Sequence, residues 1–240
     1  MHISSKAIVL SALKYSDAST IVTVLTEDFG KMSYMAHGAH RKKSKVRAAF
    51  LQPLSIVEIQ ATHKPTNNIQ QLHDMRMLAA LPNISMHPVK NAMALYMAEL
   101  ISKCTHQTTS DTDVFSFVKL SIEYLDACTE SFVNFHLVFT LKLSRYLGFY
   151  PSLNNTQPAC FDMLNGTFSS MRPIHNHYLI NDELRHFIAL YNIDYSNMDT
   201  LVLGREARFR LLNCLLEFYK LQVPEFYELK SIAVLHDLFD

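Results

Sequence analysis

Gly38 to Phe50 reads GAHRKKSKVRAAF and sets five cations, Arg41, Lys42, Lys43, Lys45 and Arg47, within seven positions. From Phe29 to Val57 there is no Asp or Glu to balance them. Charge this dense is costly without something negative opposite. A phosphate backbone suits it best, because each neutralised phosphate releases a counterion. Just upstream, Lys31 adds a cation and Tyr34 a ring on which a base could stack, while Phe50 closes the stretch. The plainer alternative is a solvated charged loop.

Other chemistry is harder to find. The five glycines are scattered, with no G-x-x-x-x-G-K-[ST] phosphate loop and no G-x-S-x-G elbow. The acid pairs Glu27–Asp28, Asp111/Asp113 and Asp182–Glu183 fall at turns and helix starts, where acids favour the helix dipole. Cys160, His175 and His177 share one irregular stretch, but structural zinc wants four ligands in closely spaced pairs. No fourth ligand is evident, so they read as surface histidines beside a buried cysteine. The residues point to a binding protein rather than an enzyme, with no metal and no cofactor.

Those residues need elements to hold them. KAIVLSAL, STIVTVLT, KMSYMAH, LSIVEIQA and IQQLHD are short, rich in β-branched or apolar residues, and separated by turn signals such as EDFG, where Gly30 supplies a positive φ. Five strands in about seventy residues predict an oligonucleotide-binding (OB) barrel over 1–77, the basic stretch lying between strands three and four. A small SH3-like barrel is the alternative. From Val89 the apolar spacing turns helical, with Pro88 in the first turn. Helices are expected from about Val89, from Asp111–Thr112, and over 131–148, the last apolar on nearly all sides and ended by Gly148 with Pro151 beyond. Residues 150–180 read as irregular, and REARFRLLNCLLEFYKL and LKSIAVLHDLF as final helices. The class is α+β, a barrel followed by a helical domain over 78–240.

The formal net charge of zero hides an asymmetry. Residues 1–76 carry ten Lys/Arg against five Asp/Glu, and 77–240 carry twelve against seventeen. A basic half joined to an acidic half predicts two domains with different partners. MHISSKAIVLSALK has no long apolar core, and no run approaches the roughly 18 apolar residues of a membrane span, so no signal peptide and no membrane are expected. The four cysteines are far apart, with no C-x-x-C pair, which fits a reduced, cytoplasmic protein.

LTEDFGK, HGAHRKKSK and LQP, in that order, resemble the opening of the bacterial RecO recombination mediators. LGFYPSL resembles that family's L-G-[YF]-x-P-x-L, and ELKSIAVLHDLF its C-terminal end, so the resemblance runs the length of the chain. It implies an OB barrel followed by helices and a protein without turnover. Such a protein binds single- and double-stranded DNA, anneals complementary strands, and acts with RecR. It helps load RecA on DNA coated by single-stranded DNA-binding protein, and so works at the nucleoid. There is one departure. Many members bind zinc through four cysteines just after L-G-[YF]-x-P, where this sequence has only Cys160. The resemblance therefore implies a lost zinc site, with packing of Phe161, Leu164, Phe168 and Tyr178 as its substitute.

The resemblance also implies a receptor for the acidic, Pro-Phe-ending tail of single-stranded DNA-binding protein, between the central and penultimate helices. Such a receptor needs an apolar pocket and a cation. Arg208 with Lys142, flanked by Phe139 and Leu212, is the expected site, with Arg205 as second choice. An RNA-binding OB module and a scaffold whose basic loop holds an acidic protein stay open as alternatives.

Overall fold

The computed structural model describes residues 1–38, 46–64, 66–105, 110–153 and 157–238. Five strands come first: β1 (His2–Ser16), β2 (Ser19–Thr26), β3 (Gly30–His37), β4 (Ile56–Thr62) and β5 (Ile69–Met77). They close in the order β1-β2-β3-β5-β4, with β4 returning antiparallel to β1 and β3 running parallel to β5. The expected five-stranded OB-type barrel is present, and helices follow it.

Period-two alternation builds the barrel wall. On β3, Met32, Tyr34 and Ala36 point inward while Lys31, Ser33 and Met35 alternate outward. The inward residues join Ile3, Ala7, Val9, Val22, Val24, Val57, Ile59 and Leu72 in one apolar core. The β2–β3 turn is held by one buried hydroxyl: Thr26 Oγ1 accepts from Phe29 N at 2.9 Å and donates to Gly30 O at 2.8 Å. Gly30 sits at φ +66°, a conformation that penalises other residues. Thr26 and Gly30 therefore explain the TEDFG spacing in physical terms.

After the barrel come α1 (Pro82–Met86), α2 (Pro88–Cys104), α3 (Thr112–Ala127) and α4 (Phe135–Tyr146). Then follow three short strands, β6 (Cys160–Asp162), β7 (Thr167–Ser169) and β8 (Tyr178–Leu179). The chain continues through α5 (Asn181–Tyr191), α6 (Arg205–Gln222) and α7 (Ser231–Leu238). It falls into two compact units: Met1–Ala127 together with Leu229–Leu238, and Cys128–Glu228.

In the first unit Lys90 is buried, its ammonium donating to Asp126 O at 3.0 Å, while Asp126 Oδ1 accepts from Ile84 N at 2.8 Å. Those two bonds tie α1, α2 and α3 at one point. Glu99 of α2 caps α7 by accepting from Lys230 N, Ser231 N and Ser231 Oγ. Those bonds, with Lys103 nearby, outweigh desolvation and hold its carboxyl below the usual range.

In the second unit α4 is buried on nearly every side and packs with α5 and α6. Gly148, at φ +87°, ends the helical run. The stretch expected to be irregular instead holds a sheet in the order β7-β6-β8. Strands of two or three residues are too short to show alternation, and only their long-range pairing defines them. α5 is likewise additional to the expected helices, burying Leu184, Phe187 and Leu190. Phe161 anchors this region, with Phe168, Phe187 and Phe218 rings 4.9, 4.5 and 5.3 Å from its own. Leu164, expected in that packing, is exposed.

Candidate nucleic-acid interface

Arg41, Lys42, Lys43 and Lys45 lie outside the described residues, but both flanks of their segment are fixed. At one side Gly38, at φ +69°, donates its N–H to Ala18 O at 2.7 Å. At the other, Val46 is buried in the barrel core, followed by a single turn of 3-10 helix over Ala48–Leu51. Arg47 is exposed, its guanidinium 5.9 Å from the Phe50 ring, and Phe50 packs partly against the core. An apolar residue on each side of Arg47 thus plants the end of the cationic run on the barrel.

Lys31 and Tyr34, both expected at the interface, sit on opposite faces of β3. Tyr34 is fully buried, and its hydroxyl lies 2.7 Å from His63 Nε2. Burial drives its phenol well above the ordinary value and draws the His63 imidazole below its own. A ring inside the barrel cannot stack on a base, so Tyr34 is a core residue. The alternation Met32, Tyr34, Ala36 carried that signal in the sequence. Lys31 faces outward, but its ammonium donates to Ser102 O at 2.5 Å, at the carbonyl end of α2. That end carries the negative pole of the helix dipole, a natural seat for a cation. Burial lowers the Lys31 pKa, countered by Cys104 and reinforced by Lys103.

The tail-binding residues, all in the second unit, are arranged differently from the expectation. Phe139 and Leu212 are buried, so neither lines an open pocket. A helix apolar on all sides is a central helix, and its phenylalanines belong to the core. Lys142 pairs with Asp194 at 2.8 Å. Arg208 donates from Nε to Asn134 Oδ1 at 3.1 Å and from Nη2 to Leu203 O at 2.9 Å. Arg205, at the start of α6, is exposed.

Around the short sheet, Cys160 is buried and directs its thiol to Met171 O at 3.2 Å. His175 Nε2 is 3.3 Å from Asp162 Oδ1, and His177 Nδ1 is 3.3 Å from Glu217 Oε1. Asp162 also accepts from Leu164 N, Asn165 N and Asn165 Nδ2. Desolvation raises its pKa, but those bonds and His175 bring it below the usual carboxylate value. Among the described residues no three His, Cys, Asp or Glu converge as metal ligands, and no helix is long and apolar enough to cross a membrane.

Residues 1–81 match the family model described as Recombination protein O N terminal, and residues 87–231 match Recombination protein O C terminal. The chain is similar to the DNA repair protein RecO of Bacteroides fragilis, 37% identical over 235 residues that cover 97% of each chain. It is 36% identical to the DNA repair protein RecO of Azobacteroides pseudotrichonymphae over 243 residues, covering both chains fully. That of Flavobacterium psychrophilum is 32% identical over 240 residues, again at full coverage of both.

Proposed function

Because the chain belongs to the RecO family of recombination proteins, we propose that it is a DNA-binding mediator of recombination and repair, without catalytic turnover. In this reading the barrel, residues 1–77, binds single- and double-stranded DNA. The remainder, 78–240, is the helical body that meets protein partners. Complementary strands anneal on the protein, and with RecR it helps load RecA onto strands coated by single-stranded DNA-binding protein. Annealing needs no bound nucleotide, in keeping with a sequence that has no phosphate loop.

One observation carries the DNA assignment. In a run of five cations without a neighbouring acid, four fall in sequence between two fixed points of a closed barrel, Gly38 and Val46, and the fifth, Arg47, directly follows Val46. The test is a salt titration of single-stranded DNA binding by the parent and by a variant with Arg41, Lys42, Lys43, Lys45 and Arg47 all replaced by Ala. If the variant no longer neutralises two or three phosphates, the slope of log K against log salt should flatten by about 0.7 to 0.9 for each of them. Affinity near 0.1 M salt should fall by about twenty-five-fold or more on the same arithmetic. A folded variant that keeps both affinity and slope overturns the assignment. An RNA strand that binds far better than DNA of equal length would move the reading to an RNA-binding module.

For the tail of single-stranded DNA-binding protein, the candidate cations are Arg208 with Lys142, and Arg205 as second choice. Arg205 is exposed, whereas Arg208 and Lys142 are partly buried and bonded to Asn134, Leu203 and Asp194.

A further inference from the structure

A cleft of about 460 Å3 opens on the barrel between the β2–β3 turn, β3 and the β4–β5 loop. Its lining includes Asp28, Phe29, Lys31, Ser33, Lys64 and Asn68. The volume lies in the roughly 300–1,000 Å3 range of small-ligand sites.

Its walls are held in place. Phe29 packs partly on the barrel core and meets His63 edge-on, with ring centres 4.7 Å apart and planes at 69°. His63 is fixed in turn by the Tyr34 hydroxyl at 2.7 Å. The opposite wall is shaped by Gln70, a buried side chain that donates to Lys64 O and Asn67 O and accepts from Lys64 N. The aromatic surface and the loop facing it are thus set before any ligand arrives, which lowers the ordering cost of binding.

The chemistry of the lining narrows the ligand. Phe29 offers a ring for stacking, which every base accepts. The exposed Asn68 carboxamide offers a donor and an acceptor together, the combination a base edge needs. Lys31 and Lys64 outnumber the one acid, Asp28, which already accepts from Ser5 Oγ at 2.6 Å. A lone carboxylate cannot hold a divalent cation, and two lysines at a rim are a poor cradle for a free di- or triphosphate. With the Lys31 ammonium already donating to Ser102 O, the exposed Lys64 is left for a single backbone phosphate of a strand that is also held elsewhere. That elsewhere is at hand, because Lys31 and the Gly38 anchor of the basic segment are seven residues apart along β3 and its end. At about 3.3 Å per residue this is roughly 23 Å, a span of several nucleotides.

We infer that this cleft receives one unstacked base of a single-stranded nucleic acid, so that the barrel distinguishes single strands from duplex. The inference rests on the reading that the barrel binds nucleic acid. A duplex keeps its bases stacked and paired and presents only its backbone. It therefore engages the basic segment but leaves the cleft empty.

The experiment uses the full chain and three fluorescent probes: a fifteen-nucleotide oligothymidine, the same backbone made abasic throughout, and a fifteen-base-pair duplex. In the parent, oligothymidine should bind about ten-fold more tightly than the abasic strand, a difference within the range for one stacked base. In Phe29→Leu and in Asn68→Ala that ratio should fall to about three-fold or less, with duplex affinity and salt slope unchanged. Asn68 is exposed and outside the core, so its variant decides the matter even if Phe29→Leu folds poorly. Equal parental affinity for oligothymidine and abasic strand overturns the inference. So does an equal loss on all three probes in Asn68→Ala, while the DNA-binding reading stands in both cases. A parent that binds none of the three removes that reading, and the base site with it.

Discussion

Gln70 in the barrel and Asn134 in the helical unit are both buried carboxamides that make three hydrogen bonds, yet they are placed to do different work. Gln70 bonds to Lys64 and Asn67, within six residues of itself, and shapes one loop. Asn134 donates to Met198 O and Leu201 O and accepts from Arg208 Nε, joining segments 64 to 74 residues apart. The partners of Gln70 are on exposed residues, so water can replace a lost bond. Met198 and Leu201 are buried, so water cannot. Solvent access to the partners, more than the number of bonds, sets what each amide contributes.

The largest expected effect follows directly. Asn134→Ala strands two buried carbonyls and a guanidinium N–H, each costing about 1–3 kcal/mol when unsatisfied. A loss of about 3 kcal/mol or more is expected in urea unfolding followed by a probe in the second unit. A cycle with Arg208→Ala should show coupling of about 0.5–3 kcal/mol, because the two side chains share a bond. Additivity would break the account of Asn134 as a network centre.

The same network faces a histidine. His136 is wholly buried beside Arg208; desolvation first and that positive charge second push its pKa down to about 3, against a hydrogen bond with Val133. Between the unfolded value of 6.5 and about 3 the unfolded chain binds the proton and the folded chain does not. Stability is therefore full above about pH 6.5 and falls progressively as the pH drops through that window. Integrated to pH 5, the loss relative to pH 7 is about 2 kcal/mol. His136→Gln should remove that part of the pH dependence, and an unchanged slope between pH 7 and pH 5 counts against the assignment.

Gln70→Ala should cost less, about 1 kcal/mol, because its partners regain water. Its signature should lie in binding instead. With the β4–β5 loop loosened, discrimination between oligothymidine and abasic strand should weaken while the duplex binds as before. A destabilisation as large as that of Asn134→Ala would erase the distinction between a local pin and a long-range one.

Much of the barrel was legible because strand alternation and turn chemistry are local. The five strands, Gly30 and the place of the basic segment all follow from residues within a few positions of one another. The short sheet was not legible. Its register depends on Phe161 meeting Phe168 and Leu179, a pairing that three-residue strands do not announce. The candidate site failed at two points for one reason: a residue type was read without its face. Tyr34 shares its parity with Met32 and Ala36, and Phe139 lies on a helix that is apolar all round. Both patterns already placed the rings inside. Arg208 is different, since nothing in the sequence near it reveals Asn134.

The smallest effect concerns the helical cations and separates exposure from mere presence. Arg205 and Arg208 lie one turn apart on α6, but Arg205 is exposed whereas Arg208 is half-buried and bonded to Asn134 and Leu203. A tail carboxylate meets Arg205 at an exposed position, whereas engaging Arg208 disturbs the Asn134 network. An exposed charge contact is worth about 1 kcal/mol at most, so Arg205→Ala should weaken binding of an acidic Pro-Phe-ending peptide about five-fold. Arg208→Ala should lower unfolding stability first, and peptide affinity only to the extent that the α4–α6 region loosens. Measuring both quantities on both variants decides the matter. If Arg208→Ala loses the peptide at unchanged stability while Arg205→Ala keeps it, the guanidinium bonded to Asn134 is the receptor after all.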